Sequence, residues 1–233
     1  NTMYFPELNR NEQNSLKMSS AFLLGLFRRI FLKRKRKVFI IGFHKTGTST
    51  LGKALQILGY TVCGSLKEAY DYDLNKDVKS YILEKAKPLL NTYDSFQDTP
   101  WFLIYKELYQ LYPDAYFILT KRSEKHWIKS VQKHFGDQKF KYHDYIYGTN
   151  NSIKDESIYL KRYQNHNLEV ELFFEGKSNF LIFDIENSNW ETLVSFLGAR
   201  KPLVAFPHAN KAGNNLLLKT KVKSLIKQLY YKK

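Results

Sequence analysis

A chain of 233 residues carries 37 Lys and Arg against 22 Asp and Glu, a formal net charge of +15. That length suffices for one α/β domain with a sizeable core and short tails, and the charge calls for an anionic partner: nucleic acid, an anionic membrane, or an anionic substrate and cofactor. The single cysteine, Cys63, excludes an internal disulfide framework and suits a reducing, cytoplasmic setting; the six histidines form no metal-ligand spacing of the H-x-x-x-H or C-x-x-C kind.

Residues 1–20 are polar and without period. Residues 21–32 are apolar, interrupted by Arg28 and Arg29 and followed by the basic run 33–37. That stretch is too short to span a bilayer. Two readings stay open for residues 1–36, a basic N-terminal extension. One is an amphipathic interfacial helix with a polybasic flank, in peripheral contact with an anionic membrane. The other is a helix packed on the domain's own surface, followed by a solvated charge run. The charges follow the apolar stretch and no small-residue cleavage site appears, which is unlike a secretory signal.

Residues 38–41 are a short apolar, β-branched run with the composition of a buried strand. Residues 42–49 form a tight, Gly-punctuated loop. Leu51, Ala54, Leu55 and Leu58 then recur at helical spacing, with Gly59 at the C-cap position. Strand, loop and helix in that order make a phosphate cradle, because backbone N–H groups and the positive end of the helix dipole meet at one spot. The spacing is nearly the phosphate-loop pattern G-x-x-x-x-G-K-[ST]. Gly42, Gly47 and Ser49 take their expected places, but Thr48 stands in the lysine slot and Lys45 precedes the second glycine. The ammonium is thereby moved toward the mouth of the loop.

Downstream, residues 60–63 read as a second strand. Residues 64–93 are mostly polar and helical, with Tyr81, Ile82, Ala86, Leu89 and Leu90 on an apolar face. Residues 93–97 are a third strand ending at Asp98-Thr99-Pro100-Trp101. Trp101, Ile104, Tyr105, Leu108, Leu111 and Tyr112 form the stripe of the next helix. A fourth strand covers 115–120, with Arg122 just past its carboxyl end and Ser123 as N-cap of a helix reaching Phe135. Residues 136–151, rich in Tyr, Lys, His and Gly, read as a mobile loop. A helix over 158–174, a fifth strand over 180–185 and a helix over 189–197 follow. Residues 201–213 are irregular, and 214–233 form a Lys-rich C-terminal helix.

Strands alternating with helices predict an α/β fold like that of the phosphate-loop nucleotide-binding proteins: a parallel sheet of about five strands flanked by helices. In such sheets ligands bind beyond the carboxyl ends of the strands, where the loop, Asp98 and Arg122 converge.

The loop F-H-K-T-G-T-S-T, with its lysine ahead of T-G-T-S, resembles the 5′-phosphosulfate loop of sulfotransferases that use 3′-phosphoadenosine 5′-phosphosulfate (PAPS). T-K-R-S-E-K-H-W-I-K-S resembles their strand-ending arginine with a serine eight residues on, here Arg122 and Ser130. Q-D-T-P-W, Y-P-D-A-Y-F-I-L-T-K-R, Y-Q-N-H-N-L-E-V, N-W-E-T-L-V-S-F-L-G and F-P-H-A-N follow the order seen in a branch of that family, so a sulfotransferase-like domain is expected over 37–213. One departure is Leu51, where many cytosolic relatives carry a Trp against the adenine. Another is that only Lys211-Ala212-Gly213 approaches the Lys-Gly run completing their 3′-phosphate site.

The resemblance implies transfer of a sulfuryl group from PAPS to a hydroxyl or amine, releasing 3′-phosphoadenosine 5′-phosphate (PAP), without a metal. Lys45, Thr46, Gly47, Thr48, Ser49 and Thr50 would hold the 5′-phosphate side, and Arg122 and Ser130 the 3′-phosphate. Lys45 stands where charge builds on the leaving oxygen. Asp98 occupies the place of the family's base, with two competing assignments: Asp98 as a helix cap before Pro100, and His44 as the base instead. The acceptor would be a small molecule, glycan or lipid.

Two other classes stay open. A kinase or nucleotide hydrolase would require Mg²⁺ and a lysine directly after the second glycine, where Thr48 stands. A non-catalytic binder of membranes or nucleic acid would use the basic ends, although no RNA-recognition or helix-turn-helix signature is present.

Overall fold

The computed structural model describes residues 18–25, 27, 36–71 and 77–207. Five parallel strands run through it: β1 (Val38–Ile40), β2 (Val62–Cys63), β3 (Ser95–Phe96), β4 (Tyr116–Lys121) and β5 (Phe180–Asp184), in the spatial order β2-β3-β1-β4-β5. β1 pairs with β3 through Val38↔Ser95 and with β4 through Val38↔Tyr116. β4 pairs along its length with β5, from Phe117↔Phe180 to Lys121↔Asp184.

Helices flank the sheet, among them α1 (Thr48–Ile57), α2 (Val78–Thr92), α3 (Tyr105–Leu111), α4 (Glu124–Phe135), α5 (Lys141–Tyr147), α6 (Glu156–Phe174) and α7 (Trp190–Leu197). The two-residue alternation of β1 explains how. Val38 and Ile40 pack with Leu51 and Leu55 of α1 and Leu193 of α7 on one face. Phe39 packs with Phe96, Phe117 and Phe174 on the other. A parallel strand buried on both sides needs apolar residues at every position, and all three residues of β1 are fully buried. The α/β fold is therefore the one the alternation of strands and helices predicts.

Residues 18–25 are helical and pack on the α1 face through Met18, Ala21 and Phe22. Gly25 lies against the Gln56 and Ile57 carbonyls, where a Cβ would not fit. The packed unit thus begins ahead of residue 37, while Leu23, Leu24 and Phe27 face outward. Residues 1–17, 28–35 and 208–233, with the polar lead, the basic run and the C-terminal helix expected there, lie outside the described residues.

Three local expectations are corrected. The mobile loop expected over 136–151 contains α5, with His143, Ile146 and Tyr147 buried. The helix expected from Trp101 opens as a 3₁₀ turn (Trp101–Ile104) before α3, so Leu111 falls on the exposed side. Ser123 stands at the N-cap of α4, but its hydroxyl meets His126 Nδ1 at 3.0 Å and caps no backbone N–H.

Candidate active site

Three neighbouring strands deliver the site. β1 ends in the loop 41–47, β3 ends two residues before Asp98, and β4 ends at Lys121 with Arg122 next. The loop can turn this tightly because Gly42 sits flush on Thr120 of β4, where a Cβ would overlap Thr120, and Gly47 sits against Ile185. Lys45 and Gly47 both take left-handed backbone, φ 66 and 87. Glycine adopts this freely and lysine does so only under constraint.

Left-handed turns at alternate positions send the intervening side chains inward. Thr46 is fully buried; its hydroxyl donates to Phe43 O at 2.5 Å and meets Thr120 Oγ1 at 2.6 Å, and its N–H points at Phe43 O at 3.3 Å. Thr46 therefore clamps the loop to β4 and does not face a ligand through its side chain, a correction to its expected role. Thr50 is also buried, its N–H bonded to Gly47 O at 2.9 Å.

The N-terminus of α1 presents the remaining N–H groups. Gly47 is its N-cap and supplies no side-chain cap, and no acidic residue lies in the first turn. Among the described residues, no backbone carbonyl accepts from the N–H of Gly47, Thr48 or Ser49. Such unspent donors at a helix start favour an anion.

Lys45, Gly47, Thr48 and Ser49 line a cavity of about 280 Å³ together with Asp98 and His134, and His44 reaches its wall. No described carboxylate lies within ion-pair distance of the Lys45 ammonium. Burial pulls its pKa down and so does the Arg122 charge, while Asp98 pulls it up. Arg122 is therefore close enough to act on Lys45, although it is not part of that wall. Its Nε is buried without a hydrogen-bond partner, and its backbone N–H and O are both bonded to the Tyr163 hydroxyl, at 3.0 and 2.8 Å. Tyr163 stacks on Trp127 at 4.2 Å, and Trp127 Nε1 donates to His44 O at 2.9 Å, so one rigid chain of contacts ties Arg122 to the phosphate loop. Ser130 is half-buried on α4.

Asp98 has φ 78, and its Oδ1 accepts the N–H of Thr99 at 2.9 Å. That bond goes to the next residue and leaves the 3₁₀ turn after Pro100 without a side-chain cap, so the helix-cap assignment is not the arrangement found. Burial pushes the Asp98 carboxyl up, opposed by the Thr99 N–H and by the Lys45 and His134 charges. A raised carboxylate is a stronger base.

His44 is the opposite case. It is 3% exposed, with Nε2 2.6 Å from the Tyr147 hydroxyl and Nδ1 3.4 Å from Thr99 Oγ1. Burial, then the neighbouring His143 and the Lys45 and His134 charges, hold it well below the ordinary histidine range. Burial likewise keeps the Tyr147 phenol protonated. Both ring nitrogens thus meet buried hydroxyls, and the lowered pKa keeps the ring neutral, which makes His44 a weaker base than the raised carboxyl of Asp98.

His134 escaped the sequence reading. It lies four residues beyond Ser130 and eight beyond His126 on α4, a spacing that puts all three on one stripe with Arg122. Tyr70 and Tyr142 form the far rim of the cavity with ring centroids 4.4 Å apart. Leu51 is fully buried on the sheet-facing side of α1 and has no face to offer an adenine.

A five-stranded parallel sheet flanked by helices, with a tight glycine-containing loop joining its central strand to the next helix, defines an α/β domain with the layout of phosphate-loop proteins. The family model of the sulfotransferase domain matches residues 37–148 and 137–215. That is well over half of the chain, which belongs to the sulfotransferase family. A curated relative, "Ava biosynthesis cluster protein M" of Aspergillus versicolor, is 33% identical over 108 residues, covering 41% of this chain and 42% of that protein. The chain thus matches less than half of that relative's length. Among the described residues no helix is long and apolar enough to cross a membrane.

Proposed function

We propose that this protein transfers a sulfuryl group from PAPS to a hydroxyl or amine acceptor and releases PAP. One observation carries the reading: a helix start with unspent N–H groups shares a cavity with Lys45 and Asp98, and Arg122, whose buried Nε lacks a hydrogen-bond partner, lies close enough to act on Lys45. This donor set fits a nucleotide carrying two separate phosphate groups. Gly47, Thr48 and Ser49 would take the 5′-phosphate through backbone N–H groups, and Arg122 with Ser130 the 3′-phosphate.

Bound there, PAPS supplies an activated sulfuryl group. Asp98 takes the acceptor's proton as the acceptor oxygen bonds to sulfur. Lys45 stabilises the negative charge gathering on the bridging oxygen as the S–O bond to the phosphate breaks and its electron pair leaves with PAP. Sulfuryl, proton and electron pair are thereby all accounted for. The paired rings of Tyr70 and Tyr142 at the rim favour a ring-bearing acceptor, a sugar or a phenol.

Titration calorimetry in EDTA tests the donor. PAP is expected to bind without a divalent ion, because Lys45 and Arg122 supply the positive charge. Loss of binding on chelation, or tighter binding of ATP–Mg²⁺ than of PAP, overturns the reading in favour of a kinase or hydrolase.

Contact with an anionic membrane is proposed on the outward Leu23, Leu24 and Phe27, which precede Arg28, Arg29 and the basic run 33–37. Co-sedimentation with anionic vesicles at two salt concentrations checks it. Unchanged sedimentation after Leu23→Glu with Phe27→Glu removes it.

A further inference from the structure

Beyond β5 the chain turns through Ile185 to Glu186. Asp184 fixes this turn by accepting the Glu186 N–H at 2.9 Å, and Ile185 packs against Gly47. The Glu186 side chain reaches across to the junction of β4 and α4. Its Oε1 lies 2.5 Å from His126 Nδ1 and 3.5 Å from Arg122 Nε, and its Oε2 accepts the Ser123 N–H at 3.3 Å.

One carboxylate therefore gathers a guanidinium edge, an imidazole and a backbone N–H at a helix start. Those are the donors that hold phosphate oxygens elsewhere. Burial pushes the Glu186 carboxyl up, but the bonds from Ser123 and His126 outweigh it and keep the group below the ordinary carboxylate range. It is ionised at neutral pH. Its side chain is 31% exposed, so it hangs from a surface turn and is not locked in the core.

The fit is incomplete in one respect. At 3.5 Å the contact with Arg122 is ionic without being a hydrogen bond, and Arg122 Nε stays unbonded. An anion with more oxygens could make the bond that this carboxylate does not.

We propose that Glu186 is an internal stand-in for a phosphate group, and that the nucleotide's 3′-phosphate binds only by displacing its carboxylate from Arg122, Ser123 and His126. This rests on the reading of Arg122 as the 3′-phosphate ligand. Two anions cannot share these donors without strong repulsion, so Glu186 selectively lowers affinity for 3′-phosphorylated nucleotides. It also returns to the donors when PAP leaves, which favours product release.

Calorimetry with two nucleotides tests it: PAP, and adenosine 5′-phosphosulfate, which lacks the 3′-phosphate. Glu186→Gln keeps the shape and removes the charge. It is expected to tighten PAP about three- to fivefold, the range for one partly exposed charge pair, and to leave adenosine 5′-phosphosulfate unchanged. Glu186→Ala should give the same sign, and adding Arg122→Ala should abolish the gain. Thermal melts of each variant confirm that folded protein is being titrated. Suppose Arg122→Ala weakens PAP selectively while Glu186→Gln leaves PAP unchanged, weakens it, or tightens both nucleotides equally. The stand-in role is then rejected and the nucleotide reading stands. If Arg122→Ala weakens both nucleotides alike, the 3′-phosphate reading falls and takes this inference with it.

Discussion

The loop after β1 turns its residues in two directions, and the two walls it makes differ in kind. On the inner wall His44 and Thr46 are buried, and their polar side-chain atoms meet protein partners in Tyr147, Thr99, Phe43 and Thr120. On the outer wall Lys45 and the N–H groups of Gly47, Thr48 and Ser49 have no such partner among the described residues. Left-handed backbone at Lys45 and Gly47 produces this alternation. A loop that must present unsatisfied donors to a ligand has to be held by something else, and the buried inner wall does the holding. Substitutions on the outer wall should therefore remove function and spare stability, and those on the inner wall should do the reverse.

The largest effect is expected at Asp98. Asp98→Asn keeps an acceptor for the Thr99 N–H and tolerates the left-handed backbone, but it cannot take a proton. Turnover should fall by about two to four orders of magnitude, with donor affinity and melting temperature almost unchanged. A screen of phenols, sugars and lipids with labelled donor supplies the acceptor for this assay. Full activity in Asp98→Asn would exclude the carboxylate as base.

Lys45→Met comes next. It removes a charge aimed at the leaving oxygen, so turnover should drop about a hundred- to a thousandfold, the scale for losing one such stabiliser. Melting should stay within error of the parent, because Lys45 forms no ion pair with a described group. A variant that melts much earlier would mean that Lys45 belongs to the inner wall and that the division between walls is wrong.

How far the sequence discloses these walls depends on the kind of burial. The five strands, the loop and the placing of Asp98 and Arg122 at strand ends were legible, because short apolar runs between polar breaks admit few arrangements in a parallel sheet. α5 was not. Its buried residues are His143, Ile146 and Tyr147, whose burial comes from His44 and Tyr159 far away in sequence, and its own stretch has no apolar period. The exposure of Leu111 was hidden for a related reason: the 3₁₀ turn ahead of α3 winds about three residues per turn and shifts the phase of the stripe. His134 was visible as spacing only, since the burial of Trp127 and Val131 decides which side of α4 faces the cavity. A single Glu after a strand, as at Glu186, carries no sequence signal at all.

The inner wall has a pH signature. Burial lowers His143 to about 4 and His166 to about 3, and holds His44 well below its ordinary 6.5. Each ring resists protonation when folded but titrates near its ordinary value when unfolded. Stability is therefore complete above about pH 6.5 and is lost as pH falls toward the folded values, by about 1.4 kcal/mol per pH unit for each ring. His143→Phe keeps a ring among the aromatic neighbours of His143 and removes one titration. Its urea-unfolding free energy should fall less steeply with acid between pH 6.5 and 4 than the parent's, by about that amount per unit. Parallel slopes would mean that His143 is charged in the folded protein.

The smallest effect separates the walls most sharply, because it concerns the residue beside Lys45. Thr46→Val preserves shape and deletes the hydroxyl that bridges Phe43 O and Thr120 Oγ1. Phe43 O keeps only the long contact from the Thr46 N–H at 3.3 Å, and the Thr120 hydroxyl loses its partner in a site closed to water. Leaving buried polar groups in that state costs about 1–3 kcal/mol, measurable by urea unfolding with linear extrapolation. Thr120→Val should cost a similar amount. The double variant should be less destabilised than the sum, since removing both hydroxyls leaves neither one orphaned. PAP affinity should change little in any of the three while the protein is folded. If Thr46→Val were as stable as the parent but bound PAP a hundredfold more weakly, the hydroxyl would be a ligand group and Thr46 would belong to the outer wall beside Lys45.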